Sequence, residues 1–325
     1  MDVQHLTAQV WISATQLVVG VIVLVTMTAV LQISGRMRRA LDFPPAPRNT
    51  LTGSHLLFVL IAFLLTMQML LYAAGRLGYT VPTAPQPAAT EPASEAQESS
   101  EHPAFASPAA LPAPTDPDAS PAPEAQNDPV SLLMLGVAEL LAVGLMLYVA
   151  SITFDGGLQG FGLRTDRLHR DLTWAVVGYL AFWPACFVLA ELTTLLYKWL
   201  ISKPPPEHEV LLFLEAPDVS LLWQLIAWTL AGVVAPIFEE LFFRGLLLNW
   251  LRNATRSTTL AIILSGVAFG IIHKPQWHLV PALTALGIIL GYAYTRTNSL
   301  TLPILFHAVF NMRTLVMLEV ARSQS

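Results

Sequence analysis

Residues 221–250 read LLWQLIAWTLAGVVAPIFEELFFRGLLLNW, an apolar run that contains two adjacent glutamates and one arginine. The core of a lipid bilayer is about 30 Å thick and is crossed by roughly 20 apolar helical residues. This run is therefore long enough to span a membrane. Ionisable side chains inside a span are costly and usually functional. The run predicts a membrane helix that carries a polar site.

Apolar runs of similar length lie on both sides of this stretch. The complete set is 10–33, 54–75, 130–153, 172–198, 221–250, 258–273, 279–295 and 300–318. The overall composition, with 54% hydrophobic and 12% charged residues, is too apolar for a soluble globular protein. The predicted fold class is an all-α polytopic membrane protein, a bundle of about eight transmembrane helices.

Arginines follow every second predicted span. They are Arg36, Arg38, Arg39, Arg48, Arg164, Arg167, Arg170, Arg252, Arg256 and Arg296. The alternate loops are acidic or nearly uncharged, and basic loops stay on the cytoplasmic side of a membrane. We therefore expect a multi-pass protein of the cell membrane with both termini outside the cytoplasm.

Residues 80–129 are dominated by Pro, Ala, Ser and acidic residues, which cannot bury a core. They predict a disordered linker between two N-terminal transmembrane helices (1–79) and a C-terminal core (130–325). The net charge of −5 comes mostly from this linker. The lipid bilayer is thus an expected partner, and nucleic acid is not.

Three sets of polar residues interrupt the later spans. They are Glu239-Glu240-x-x-x-Arg244, Phe269-x-x-x-His273 and His307-x-x-x-Asn311. The spacing of four puts Glu240 and Arg244 on one helix face, where they can form an ion pair, while Glu239 points about 100° away. Counting residues from the basic loops places the three sets at similar depth. We expect them to meet inside the bundle.

A carboxylate, two imidazoles and an amide in a low-dielectric cavity suit the activation of water. Such a set offers a general base, a partner that positions the water, and donors for an oxyanion. Glu239, His273 and His307 could instead hold Zn²⁺ as an open catalytic ligand set. The sequence does not separate a site without a cofactor from a zinc site. His278 follows Lys274-Pro275 and is expected to be solvated in a loop.

The ordered triple of motifs resembles the CPBP family, which includes CAAX prenyl endopeptidases and bacterial Abi proteins. The resemblance covers roughly residues 130–318. It implies that Glu239 activates water with His273, while His307 and Asn311 stabilise the oxyanion. The supporting residues would be Glu240, Arg244 and Phe269. Members have been described as metalloproteases, although the same residues also support a glutamate-dependent mechanism.

The function expected from this resemblance is hydrolysis of a peptide bond in a membrane-associated protein or peptide. A non-catalytic immunity or peptide-binding protein of the same fold is the alternative. A small proton-coupled transporter is disfavoured because the sequence shows no inverted repeat.

Overall fold

A computed structural model describes residues 42–79, 129–202, 205, 210, 213–214 and 219–322. Eight helices run through these residues. They are α1 (Gly53–Arg76), α2 (Pro129–Thr153), α3 (Gly157–Phe161), α4 (Leu168–Ile201), α5 (Leu221–Thr255), α6 (Thr258–Ile272), α7 (Val280–Thr297) and α8 (Thr301–Arg322). The described residues contain no strand beyond one isolated β-bridge, so the predicted all-α class is confirmed.

Seven of these helices coincide with predicted spans. Five of them, α1, α2, α4, α5 and α8, are long and apolar enough to cross a membrane by length and composition. Helix α6 is shorter, with 15 residues. The chain is therefore a multi-pass membrane protein. The predicted span 10–33 lies outside the described residues, as does the predicted linker apart from Pro129, the first residue of α2.

An extended segment before α1, residues 42–52, lies across the ends of other helices and is called the strap below. Asn253 Nδ2 near the end of α5 donates to Asn49 Oδ1 in the strap at 2.7 Å. The amide of Thr50 donates to the carbonyl of Thr153, the last residue of α2, at 2.9 Å. The C-terminal ends of α2 and α5 therefore meet on the strap, and the two helices run in the same direction.

Helix α5 contains two π-helical segments, Leu230–Val234 and Leu241–Leu247. In the first segment the amide of Ala235 donates to the Leu230 carbonyl, five residues back. The next residue, Pro236, has no N–H to continue this pattern toward Ala231. Proline thus accounts for the first of the two π-helical segments, as expected for a bulge with an identifiable cause.

Helices α6 and α7 pack closely through glycines. A Cβ atom on Gly266 would lie 2.8 Å from the backbone nitrogen of Ile288, and one on Gly270 would lie 2.9 Å from the Val280 carbonyl. Small residues permit this approach of two helix backbones in a membrane, where dispersion contacts contribute strongly to association. The approach brings the backbone of Gly287 to the polar residues of α5.

Candidate active site

A buried network of charged groups joins α5 to α8. Arg244 Nη1 donates to Glu240 Oε1 at 2.7 Å, and both side chains are 0% exposed. His307 Nδ1 lies 2.9 Å from the same oxygen. Because an ionised carboxylate only accepts hydrogen bonds, Nδ1 is the protonated nitrogen that donates here. Glu240 therefore fixes the orientation of the His307 ring and leaves its Nε2 facing away.

Two further contacts hold the arginine in place. Arg244 Nη2 donates to the Gly287 carbonyl of α7 at 3.2 Å. The guanidinium carbon also lies 4.5 Å from the centre of the Phe269 ring of α6. A cation over an aromatic face is stabilised when it is removed from water. Arg244 thus links α5, α6 and α7, and its supporting role in catalysis stays a prediction.

Glu239 is the less constrained of the two adjacent glutamates. Its side chain is 17% exposed, and its Oε2 lies 3.9 Å from His307 Nε2. That oxygen is buried and has no hydrogen-bond partner among the described residues. The separation is too long for a direct hydrogen bond, but one water molecule can contact both atoms. Glu239 and His307 therefore face a common space from opposite sides.

His273 occupies the C-cap of α6, where its Nδ1 lies 2.9 Å from the Phe269 carbonyl. The Phe269 ring contacts both imidazoles, with ring centres 5.2 Å from His273 and 5.6 Å from His307. No ion pair joins His273 to Glu239 in the described part of the chain. The pairing of these two residues in water activation stays a prediction.

Asn311 is held by the irregular part of α5. Its Nδ2 donates to the Ala231 carbonyl at 2.9 Å. That carbonyl is the acceptor that the missing N–H of Pro236 would otherwise meet in the π-helical pattern. The side-chain amide carries two donors, so one N–H remains for another partner. The structure thus positions Asn311 on α8, one helical turn from His307.

The structure does not bring the three predicted metal ligands together around one point. Among the described residues no group of three His, Cys, Asp or Glu side chains is close enough to hold a metal ion. Glu239 and His307 approach each other, but His273 is directed toward its own helix. The donor set Glu239, His273 and His307 therefore does not fit Zn²⁺ here, and the description as a metalloprotease has no support.

The sequence reasoning overlooked Glu139 of α2. Its side chain is only 7% exposed, and the carboxylate is close enough to Glu239 for electrostatic repulsion. The signal was present, because Glu139 is the one acidic or basic residue among the 25 residues of α2. A lone charge within a span is as informative as the pairs that were found.

His278 was expected to be solvated, and this expectation is wrong. The residue is 6% exposed and packs against Tyr197 of α4, with ring centres 5.6 Å apart. Its Nδ1 is buried without a hydrogen-bond partner in the described residues. The loop between α6 and α7 folds onto α4 because Trp277 and His278 both cover the Tyr197 ring. This burial lowers the pKa of His278 below its ordinary value.

These features define a polytopic membrane protein with a carboxylate–histidine site inside its helix bundle. Residues 221–313, which include all three motifs, match the family model described as type II CAAX prenyl endopeptidase Rce1-like. The resemblance read from the motifs is therefore confirmed for this part of the chain.

Three curated proteins are similar to the chain. A putative membrane peptidase of Bacillus subtilis, YdiL, is 34% identical over 87 residues, which cover 27% of this chain and 35% of that protein. The membrane-embedded CAAX protease MroQ of Staphylococcus aureus is 23% identical over 145 residues, covering 43% and 55%. The UPF0177 protein YxdF of Lactococcus lactis is 28% identical over 82 residues, covering 25% and 44%.

The matched segment thus spans between about a third and just over half of the length of these relatives. No solved structure matches the chain at a significant level.

Proposed function

We propose that this chain is an intramembrane endopeptidase that hydrolyses a peptide bond of a membrane-associated protein or peptide. The observation that carries the proposal is the buried Oε2 of Glu239, which has no hydrogen-bond partner among the described residues and lies 3.9 Å from an imidazole that Glu240 holds in position. A carboxylate without a structural partner, placed beside an oriented histidine, is the arrangement expected of a general base.

In the proposed reaction Glu239 accepts a proton from water while the water oxygen attacks the carbonyl carbon of the peptide bond. The carbonyl π electrons move onto oxygen, which gives a tetrahedral oxyanion. When the C–N bond breaks, its electrons go to nitrogen, and the leaving amine takes the proton back from Glu239. His273 contacts the water through Nε2, because its Nδ1 is occupied by the Phe269 carbonyl.

The oxyanion is stabilised by donors from α8 in this proposal. His307, whose Nδ1 is bound to Glu240, donates to the oxyanion through Nε2–H when its ring is an imidazolium. Asn311 offers the N–H that the Ala231 carbonyl does not use. The two residues share one helix face, so a single helix supplies both donors.

The test is cleavage of a membrane-tethered peptide library by the purified protein in proteoliposomes. Glu239→Gln keeps the side-chain volume but removes the base, and loss of general-base catalysis typically lowers rates by about 10²–10⁴-fold. Glu191→Gln, the same change in α4, serves as the matched control and is expected to cleave like the wild type. Cleavage by Glu239→Gln at the wild-type rate would refute the assignment.

Two further arms separate the alternatives. A strong Zn²⁺ chelator is expected to leave cleavage intact, and loss of cleavage on chelation would overturn the metal-free form of the proposal. A folded wild type that captures peptides without cleaving any would favour the non-catalytic peptide-binding function over hydrolysis.

A further inference from the structure

The carboxylate of Glu139 lies within the membrane helix α2 and is buried. It makes no hydrogen bond or ion pair within the described part of the chain, although its side chain is only 7% exposed. An ionised carboxylate at the centre of a span costs about 2.5–3.5 kcal/mol on insertion scales. A residue that adds this cost without a partner in the fold is expected to meet one in a functional complex.

Glu139 lies on the face of α2 that packs against α5. The buried residues of α2 include Leu132, Gly136, Glu139, Ala142, Met146 and Val149, which recur at helical spacing. A Cβ atom on Gly136 would lie 2.5 Å from Leu230 Cδ2, which sets the register of the two helices. Because α2 and α5 run in the same direction, Glu139 lies level with about residue 233 of α5.

This register places Glu139 about six residues before Glu239 along the bundle, or roughly 9 Å at the α-helical rise. The two carboxylates are close enough for their charges to repel each other. An extended peptide advances about 3.3 Å per residue. A substrate held at Glu239 would therefore present a side chain to Glu139 about three residues from the scissile bond.

The charge balance favours a cation as that side chain. Three carboxylates, Glu139, Glu239 and Glu240, lie near one another, and the cationic groups that the described residues place beside them are Arg244 and, when protonated, His307. Arg244 is already bound to Glu240. A low-dielectric cleft with excess negative charge concentrates positive groups. A lysine or arginine side chain would satisfy the Glu139 carboxylate, which has no partner among the residues that the structure describes.

We propose that Glu139 is a specificity-determining residue that binds a basic side chain of the substrate about three residues from the cleaved bond. The inference rests on the proposed peptidase function and adds a preference for one class of peptide. The recognition is an ion pair formed inside the membrane, where it is strengthened by the low dielectric constant.

The experiment uses membrane-tethered peptides that carry Lys, Gln or Glu at each position within four residues of the cleaved bonds. Both cleavage and capture by the full-length protein are measured, so recognition is read independently of hydrolysis. The wild type is expected to favour Lys over Gln peptides by about tenfold or more, as for a desolvated charge pair. Glu139→Gln should reduce this ratio to near one, and Glu139→Lys should favour Glu peptides.

A control variant and a folding check keep the outcomes distinct. Glu191→Gln should keep the wild-type ratio, and Glu139→Gln should remain as stable as the wild type because it removes an unpaired buried charge. Cleavage with the same charge preference in all variants would overturn this inference alone. Capture of Lys peptides that depends on Glu139, without cleavage, would support it and overturn the hydrolytic function. Absence of both capture and cleavage would overturn both.

Discussion

Removing the positive charge of Arg244 should be among the most destabilising single changes in the bundle. Arg244→Met deletes the 2.7 Å bond to Glu240, the 3.2 Å bond to the Gly287 carbonyl and the cation–π contact with Phe269. Glu240 then stays fully buried with only His307 as a partner. Breaking a buried ion pair by removing one member typically costs about 3–5 kcal/mol, because the remaining charge is uncompensated.

A double-mutant cycle distinguishes this cause from simple loss of packing. Adding Glu240→Gln to Arg244→Met removes the uncompensated carboxylate charge. The amide oxygen of the new glutamine can still accept a hydrogen bond from His307 Nδ1. The double variant should therefore be more stable than the sum of the single losses predicts, by about 2 kcal/mol. Part of the loss should remain, since the contacts of Arg244 with Gly287 and Phe269 are not restored.

The free energy of unfolding can be measured by denaturant titration in detergent micelles, followed by far-UV circular dichroism. Arg313→Met is a matched control, because Arg313 also lies in a span but contacts the ring of Trp183 at 4.5 Å. Its loss is expected to cost about 0.5–1 kcal/mol. The reasoning fails if Arg244→Met is as mild as Arg313→Met, or if the two changes in the cycle are additive.

Two further changes test packing and pH dependence. Gly270→Ala should cost about 1–3 kcal/mol of unfolding free energy, because the added Cβ would lie 2.1 Å from Thr284 Oγ1. Gly144→Ala, with no neighbouring atom within 4 Å, should cost nothing in the same titration, and equal losses would contradict the close approach of α6 and α7. The lowered pKa of His278 means that its neutral form favours the folded state. Stability should therefore fall as the pH drops below the ordinary histidine pKa of about 6.5, and His278→Phe should weaken this dependence of the unfolding temperature. Identical pH profiles of the two proteins would contradict this cause.

The helices were largely predictable because a bilayer imposes strict local rules. Every backbone polar group in lipid must be satisfied within its own segment, so apolar length translates directly into helix length. The predicted span 54–75 corresponds to the helix Gly53–Arg76, and the predicted span 130–153 corresponds to the helix Pro129–Thr153. The ion pair of Glu240 and Arg244 was predictable for a related reason, since a spacing of four fixes neighbours on one helix.

Contacts between helices were not predictable in this way. Periodicity shows which residues share a face of one helix, but not which faces of different helices meet. The bond between His307 and Glu240 joins residues 67 positions apart. The burial of His278 against Tyr197 also depends on how the α6–α7 loop packs. The strap is a further case, because its side-chain and backbone bonds to α5 and α2 need the assembled bundle.

The adjacent glutamates show why one local pattern can serve two purposes. Neighbouring residues on a helix point about 100° apart, so they meet different surroundings. Glu240 has one oxygen shared by Arg244 and His307, and it is fully buried. A carboxylate bound in this way is poorly placed to take a proton from water. The Oε2 of Glu239 has no hydrogen-bond partner in the described part of the chain and lies 3.9 Å from the imidazole that Glu240 orients. In the proposed reaction Glu239 acts as the base, while Glu240, itself bound to Arg244, holds the histidine in place.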